Sequence, residues 1–128
     1  MSGDQIRLDT HVVVWLFNNE IEKLSGAARL LLDERTAVIS PMVELELTFL
    51  HEIGRVTSSG PAVVNELMTR ISLKRSEEPL HAITAAAESC SWTRGPFDRL
   101  IVGDASAAAC QLLTRDRHIR EHFRLAIW

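Results

Sequence analysis

Short apolar runs alternate with helix-like segments along this chain, and that alternation constrains its fold more than any other feature. Ile6-Arg7-Leu8, Ala37-Val38-Ile39 and Gln111-Leu112-Leu113-Thr114 have the length and character of buried strands. Leu125–Trp128 reads as a last strand, and Ile71–Lys74 offers a further candidate. Helical segments fill the gaps. His11–Phe17 is apolar and follows the first strand directly. Ser25 is placed to cap a helix over Gly26–Asp33. Ser40-Pro41 opens a helix to about Ile53, with Pro at the first helical position and Gly54 as the stop. A helix to about Arg70 follows the loop Ser58-Ser59-Gly60-Pro61, and another spans Pro79–Cys90. Thr93-Arg94-Gly95 breaks the chain before a helix starting at Pro96, and Arg117–His122 forms a short final one. Strands alternating with helices imply α/β architecture, a parallel sheet covered on both faces. Ligands in such sheets bind beyond the carboxyl ends of the strands.

Size and composition fit one domain spanning 1–128, with 46% hydrophobic and 24% charged residues. The net charge of −3 argues against nucleic-acid binding by bulk charge but leaves room for a locally basic contact surface. No apolar run approaches the roughly 18–20 residues that span a bilayer. The start, Met1-Ser2-Gly3-Asp4-Gln5, lacks the basic and apolar regions of a signal peptide, so a cytoplasmic location is expected. Cys90 and Cys110 form no metal-ligand pattern and are expected as buried free thiols in Ala-rich helices.

Four carboxylates stand where a core would take apolar side chains. Asp9 and Asp116 close strand-like runs, at the sheet edge where ligands bind. Helical phase places Glu46 with Met42, Phe49, Leu50 and Ile53, and turns Glu44 the other way, with Thr48, His51 and Arg55, as a surface acid. Asp98 shares a face with Ile101, Val102, Ala105 and Ala109, although a first-turn acid also suits the helix dipole. Asp104 falls on a different face, as an outer member of the cluster, a supporting group or a surface acid. Buried charges need partners or a metal, and four acids from four elements suggest one cation-binding pocket.

Several carboxylates around Mg²⁺ or Mn²⁺ suit phosphodiester hydrolysis, since hard oxygens match hard cations and the metal activates water. His118 and His122 have the i, i+4 spacing of zinc ligands but lack the HExxH pattern, and they read as surface residues. His11 could border the pocket. No Gly-rich phosphate loop or Gly-x-Ser-x-Gly elbow is present. Arg99, Arg115 and Arg117 lie beside the acids in sequence and are candidate phosphate contacts, while Arg120 and Arg124 read as solvated.

The segments carrying the acids resemble the PIN-domain family, specifically the VapC-type toxins of toxin–antitoxin pairs. Leu8-Asp9-Thr10-His11 with the following Val-Val-Val-Trp-Leu is similar to the opening LDTH…WL segment. Ser40 to Glu46, continuing to Gly54-Arg55-Val56, resembles the Ser-x5-Glu helix and its Gly-Arg turn. Pro96-Phe97-Asp98-Arg99-Leu100-Ile101-Val102 is similar to PFDRLIV, and Leu113-Thr114-Arg115-Asp116 to LTRD. The resemblance runs from Ile6 to Trp128. It departs at Leu45, where Trp is common, and at Gly95, where Asp is common; neither removes an acid.

The resemblance implies a PIN-like three-layer α/β/α sandwich with four or five parallel strands. It implies a Mg²⁺- or Mn²⁺-dependent endoribonuclease using Asp9, Glu46, Asp98 and Asp116, with Asp9, Asp98 and Asp116 the more direct ligands and Glu46 binding metal or orienting its water. Thr10, Ser40 and Thr114 would support the pocket. It further implies a homodimer and a cognate antitoxin, together forming a hetero-oligomer. The alternatives are a degenerate PIN-like module that binds RNA or protein without cutting, and a phosphatase using Asp9 as nucleophile. His11 argues against the phosphatase, because it stands where such enzymes place a second Asp.

Overall fold

Five parallel strands form the centre of the computed structural model, which describes residues 3–128. Met1 and Ser2, part of the start inspected for a leader, lie outside the described residues. The strands are β1 (Gln5–Leu8), β2 (Thr36–Ile39), β3 (Lys74–Arg75), β4 (Leu112–Leu113) and β5 (Ala126–Ile127), in the order β3-β2-β1-β4-β5. The helices are α1 (Thr10–Phe17), α2 (Gly26–Glu34), α3 (Pro41–Glu52), α4 (Gly60–Ile71), α5 (Leu80–Glu88), α6 (Pro96–Ala107) and α7 (Arg117–His122). A 3₁₀ turn at Ile21–Lys23 follows α1. Among the described residues no helix is long and apolar enough to cross a membrane.

The strand order reverses direction at β1. From β1 the chain moves outward through β2 to β3, then returns to β4 on the other side of β1. Right-handed crossovers then place α1–α4 on one face of the sheet and α5–α7 on the other. β1 and β4 therefore flank the switch point, where the carboxyl ends of neighbouring strands open a crevice. Leu8 is level with Leu113 across that pair, so Asp9 and Thr114 emerge side by side.

Local chemistry explains the element boundaries. Ser25 Oγ accepts from Ala28 N, and Ser40 Oγ accepts from Met42 N at the start of α3. Gly54 takes φ 79° just past the end of α3, a conformation that side chains resist. Gly103 lets α6 lie close to α5, since a Cβ there would stand 2.6 Å from the Ile83 carbonyl oxygen. Cys90 and Cys110 are both buried. Arg70 of α4 donates to the carbonyls of Leu16 and Phe17 at 3.0 and 3.1 Å, fastening the end of α1.

Three expectations are corrected. The candidate strand Ile71–Lys74 is not one: α4 runs through Ile71, Ser72 ends it in the left-handed region, and the edge strand is Lys74–Arg75. Charged residues on a short edge discourage pairing with another chain. Glu44 is not a solvated acid, because it receives Arg75 Nε at 2.7 Å and Arg75 Nη2 at 3.1 Å. The core face of α3 consists of Val43 and Leu47, whereas Phe49 and Ile53, which share Glu46's phase, are exposed.

Asp104 is fully buried beneath the sheet rather than at its edge. Arg7 Nε donates to its Oδ2 at 3.2 Å, and Ser76 Oγ donates to its Oδ1 at 2.5 Å. Alternation along β1 turns Arg7 away from Ile6 and Leu8, toward α6, and Gln5 Oε1 and Ser76 Oγ accept its remaining donors. Removing one partner of such a pair strands the other charge without water. Asp104→Ala should therefore lower stability by about 3–5 kcal/mol in thermal or urea denaturation. A variant as stable as the parent would show that the pair is dispensable.

Candidate active site

The switch-point crevice is lined by all four acids expected of it. Asp9, Glu46, Asp98 and Asp116 share a pocket of about 300 Å³ with Thr10, His11, Val14, Trp15 and Leu50. Each acid arrives from a different element: the end of β1, the middle of α3, the first turn of α6 and the start of α7.

Asp9 and Asp116 are both helix N-caps. Asp9 Oδ1 accepts from Thr10 N at 2.8 Å, and Asp116 Oδ1 accepts from Ile119 N at 3.0 Å. Each strand thus ends in an Asp whose carboxylate meets the positive end of the next helix. Thr114 joins them: its hydroxyl donates to Asp9 Oδ2 at 2.6 Å and accepts from Asp116 N at 3.0 Å.

His11 lies against the same carboxylate. The backbone N–H of Arg115 donates to its Nε2 at 2.9 Å, so this nitrogen carries no proton in this arrangement. The proton sits on Nδ1, 3.6 Å from Asp9 Oδ2.

Glu46 and Asp98 are bound less tightly. Thr10 Oγ1 donates to Glu46 Oε1 at 2.5 Å, leaving Oε2 open. Burial raises the Glu46 pKa, the Thr10 hydrogen bond opposes that rise, and the charge on Asp9 adds to it. Asp98 has no hydrogen bond or ion pair from the described residues. Its pKa is pushed from 3.8 up to about 6, first by burial and then by Asp9, Asp116 and Glu46, with His118 acting the other way. An unpartnered, half-buried carboxylate among three other acids fits a cation, and an all-oxygen donor set fits Mg²⁺ or Mn²⁺.

The supporting residues divide. Thr10 and Thr114 bond to the acids directly, whereas buried Ser40 caps α3 and lies outside the pocket lining. Arg115 lines a neighbouring shallow cavity of about 330 Å³ with His11, Trp15 and Asp116, its guanidinium 6.0 Å from the Trp15 ring centre. Arg117 projects into solvent and pairs with Glu121 at 3.3 Å. Arg99 is drawn away from the acids, donating to the carbonyls of Ala87 and Glu88 at the end of α5. Asp104 belongs to the Arg7 pair. Sequence reading placed Trp15 only within the segment resembling LDTH…WL and missed its position in the pocket lining, one turn after His11 on α1.

The crevice at the switch point of this parallel α/β sheet is thus lined by acids from four separate elements. The chain belongs to the PIN-domain family, whose model matches residues 6–123. It is 31% identical over 120 residues to Ribonuclease VapC22 of Mycobacterium tuberculosis, covering 91% of each chain. Its fold is similar to VapBC2 from Rickettsia felis bound to a promoter DNA fragment, with TM-score 0.68, 18% identity and 97% of each chain covered. DNA-bound VapBC from Salmonella typhimurium is also similar, with TM-score 0.62 and 21% identity over 95% of this chain and 94% of that one.

The raised Asp98 pKa has a defined sign. The folded protein holds the Asp98 proton more tightly than the unfolded chain, so ionising Asp98 costs stability as pH rises from about 4 to about 6. Solvent screening at this half-exposed group limits the cost to about 1–2 kcal/mol. In metal-free buffer Asp98→Asn should therefore melt higher than the parent above pH 6, with the gain gone at pH 4. Equal melting temperatures at pH 7 would contradict this.

Proposed function

We propose that this chain is the toxin of a toxin–antitoxin pair, a Mg²⁺- or Mn²⁺-dependent endoribonuclease that acts in the cytoplasm. The observation that carries the proposal is the convergence of Asp9, Glu46, Asp98 and Asp116 on one pocket, with Asp98 unpartnered. Asp9, Asp98 and Asp116 would hold the cation, with Glu46 beside them. Bound there, the cation supplies the charge that makes water a nucleophile near neutral pH and offsets charge growing on the phosphate.

The chain's own groups do the rest. Thr114 and the Thr10 amide fix both oxygens of Asp9, so that carboxylate is oriented before substrate arrives. Glu46 Oε2 is free to accept a proton from the attacking water, while Thr10 holds the other oxygen. Arg115 and Arg117 stand on the Asp116 side as phosphate contacts, and Trp15 offers a flat face for a base. The name of the M. tuberculosis relative supports ribonuclease activity.

A cognate antitoxin would bind over the same crevice. Leu45 and Phe49 of α3, and Ile53 at its C-cap, are about half exposed on the helix that carries Glu46. An amphipathic segment could cover them while a basic side chain reaches the acids and replaces the cation's charge. The toxin itself would act as a homodimer.

The test is cleavage of RNA by antitoxin-free protein in Mg²⁺, Mn²⁺ or EDTA, beside Asp98→Asn. Cleavage should require metal and fall at least about 100-fold in the variant. Absence of both cleavage and saturable Mn²⁺ binding would overturn the nuclease reading in favour of a non-catalytic binding module.

A further inference from the structure

The short helix α7 carries a second group of metal-competent side chains, outside the acid pocket. His118, Glu121 and His122 are all exposed, and each offers a ligand atom within 4.8 Å of the others. Their order, His-x-x-Glu-His, is the reverse of the HExxH pattern against which the spacing was judged.

Two features separate this group from an ordinary solvated helix face. The first is that each imidazole is already oriented. His118 Nε2 lies 2.6 Å from the Trp92 carbonyl oxygen, and His122 Nδ1 lies 2.9 Å from the His118 carbonyl oxygen. A carbonyl only accepts, so both of these nitrogens must carry protons. The lone pairs then fall on His118 Nδ1 and His122 Nε2. Metal-binding histidines commonly donate their other N–H to a carbonyl in this way.

The second is the indole that packs on both rings. Trp92 stacks on His122 at 5.1 Å with 10° between planes, and meets His118 at 5.3 Å and 72°. A metal approaches imidazole in the ring plane, so a ring stacked on the face restricts rotation without blocking the lone pair. Among the described residues Glu121 is held by the exposed Arg117 contact alone, at 3.3 Å, which costs little to break.

We infer that His118, His122 and Glu121 form a binding site for a borderline divalent transition ion, Zn²⁺ or Ni²⁺, distinct from the acid pocket. Imidazole favours these ions over Mg²⁺, whereas the all-carboxylate pocket favours hard cations. The two sites thus differ in ligand chemistry. They are also neighbours, since Asp116 of the acid pocket caps α7, the helix that carries His118. This inference stands whether or not the chain cuts RNA.

The experiment is calorimetric titration of the full chain with Zn²⁺, then Ni²⁺, in excess Mg²⁺, followed by Trp fluorescence. The expected result is one equivalent bound. Affinity should drop at least tenfold in His122→Ala and in His118→Ala, and less in Glu121→Gln, with circular dichroism unchanged. Asp98→Asn should bind as the parent does. Zn²⁺ binding that survives in the His118→Ala/His122→Ala double variant, or that disappears in Asp98→Asn, would overturn the assignment.

Discussion

The hydrogen bond from Thr114 Oγ1 to Asp9 Oδ2 joins residues 105 positions apart and sets the geometry of the crevice. It can form only because β1 and β4 are adjacent, with Leu8 level with Leu113. The same hydroxyl accepts from Asp116 N, so one side chain spaces two acids. α1 and α7 both start from these strand ends, and their first turns are anchored on the carboxylates themselves. The strand pairing, the entry of two helices and the disposition of half the acids therefore rest on one local arrangement.

The acids then divide by how the protein holds them. Asp9 and Asp116 are engaged by backbone amides, which restrict their rotation. Glu46 has a single hydroxyl partner, and Asp98 has none. Burial, with repulsion from Asp9, Asp116 and Glu46 added, raises the Asp98 pKa to about 6. By contrast, the charge on Asp104 is matched by Arg7 inside the core and takes no part in that balance.

Much of this was legible from the sequence, because caps and acids are local signals. Ser25, Ser40, Pro41 and Pro96 mark helix starts through their own hydrogen bonds or fixed φ, and each starts a helix in the structure. The four acids were visible because a charge at a strand end or on an apolar face needs an explanation. Long-range partners were not visible. Asp104 finds Arg7 across 97 positions and Glu44 finds Arg75 across 31, and no periodicity encodes either pair. Helical phase grouped Glu46 correctly with Leu50 but could not tell the core face of α3 from the pocket mouth, where Phe49 and Ile53 are exposed. Arg99 looked like a phosphate contact because it follows Asp98, yet adjacent residues on a helix point about 100° apart.

The central position of β1 has a consequence for how the chain is made. Asp9 is synthesised more than 100 residues before Thr114 and the helix cap at Asp116. Translation proceeds at about 5–20 residues per second, and segments pair only after leaving the ribosome. A growing chain therefore carries Asp9, Glu46 and even Asp98 before the Thr114 hydroxyl that orients Asp9 has been made. The crevice therefore takes its shape only once β4 docks beside β1 and brings the Thr114 hydroxyl to Asp9.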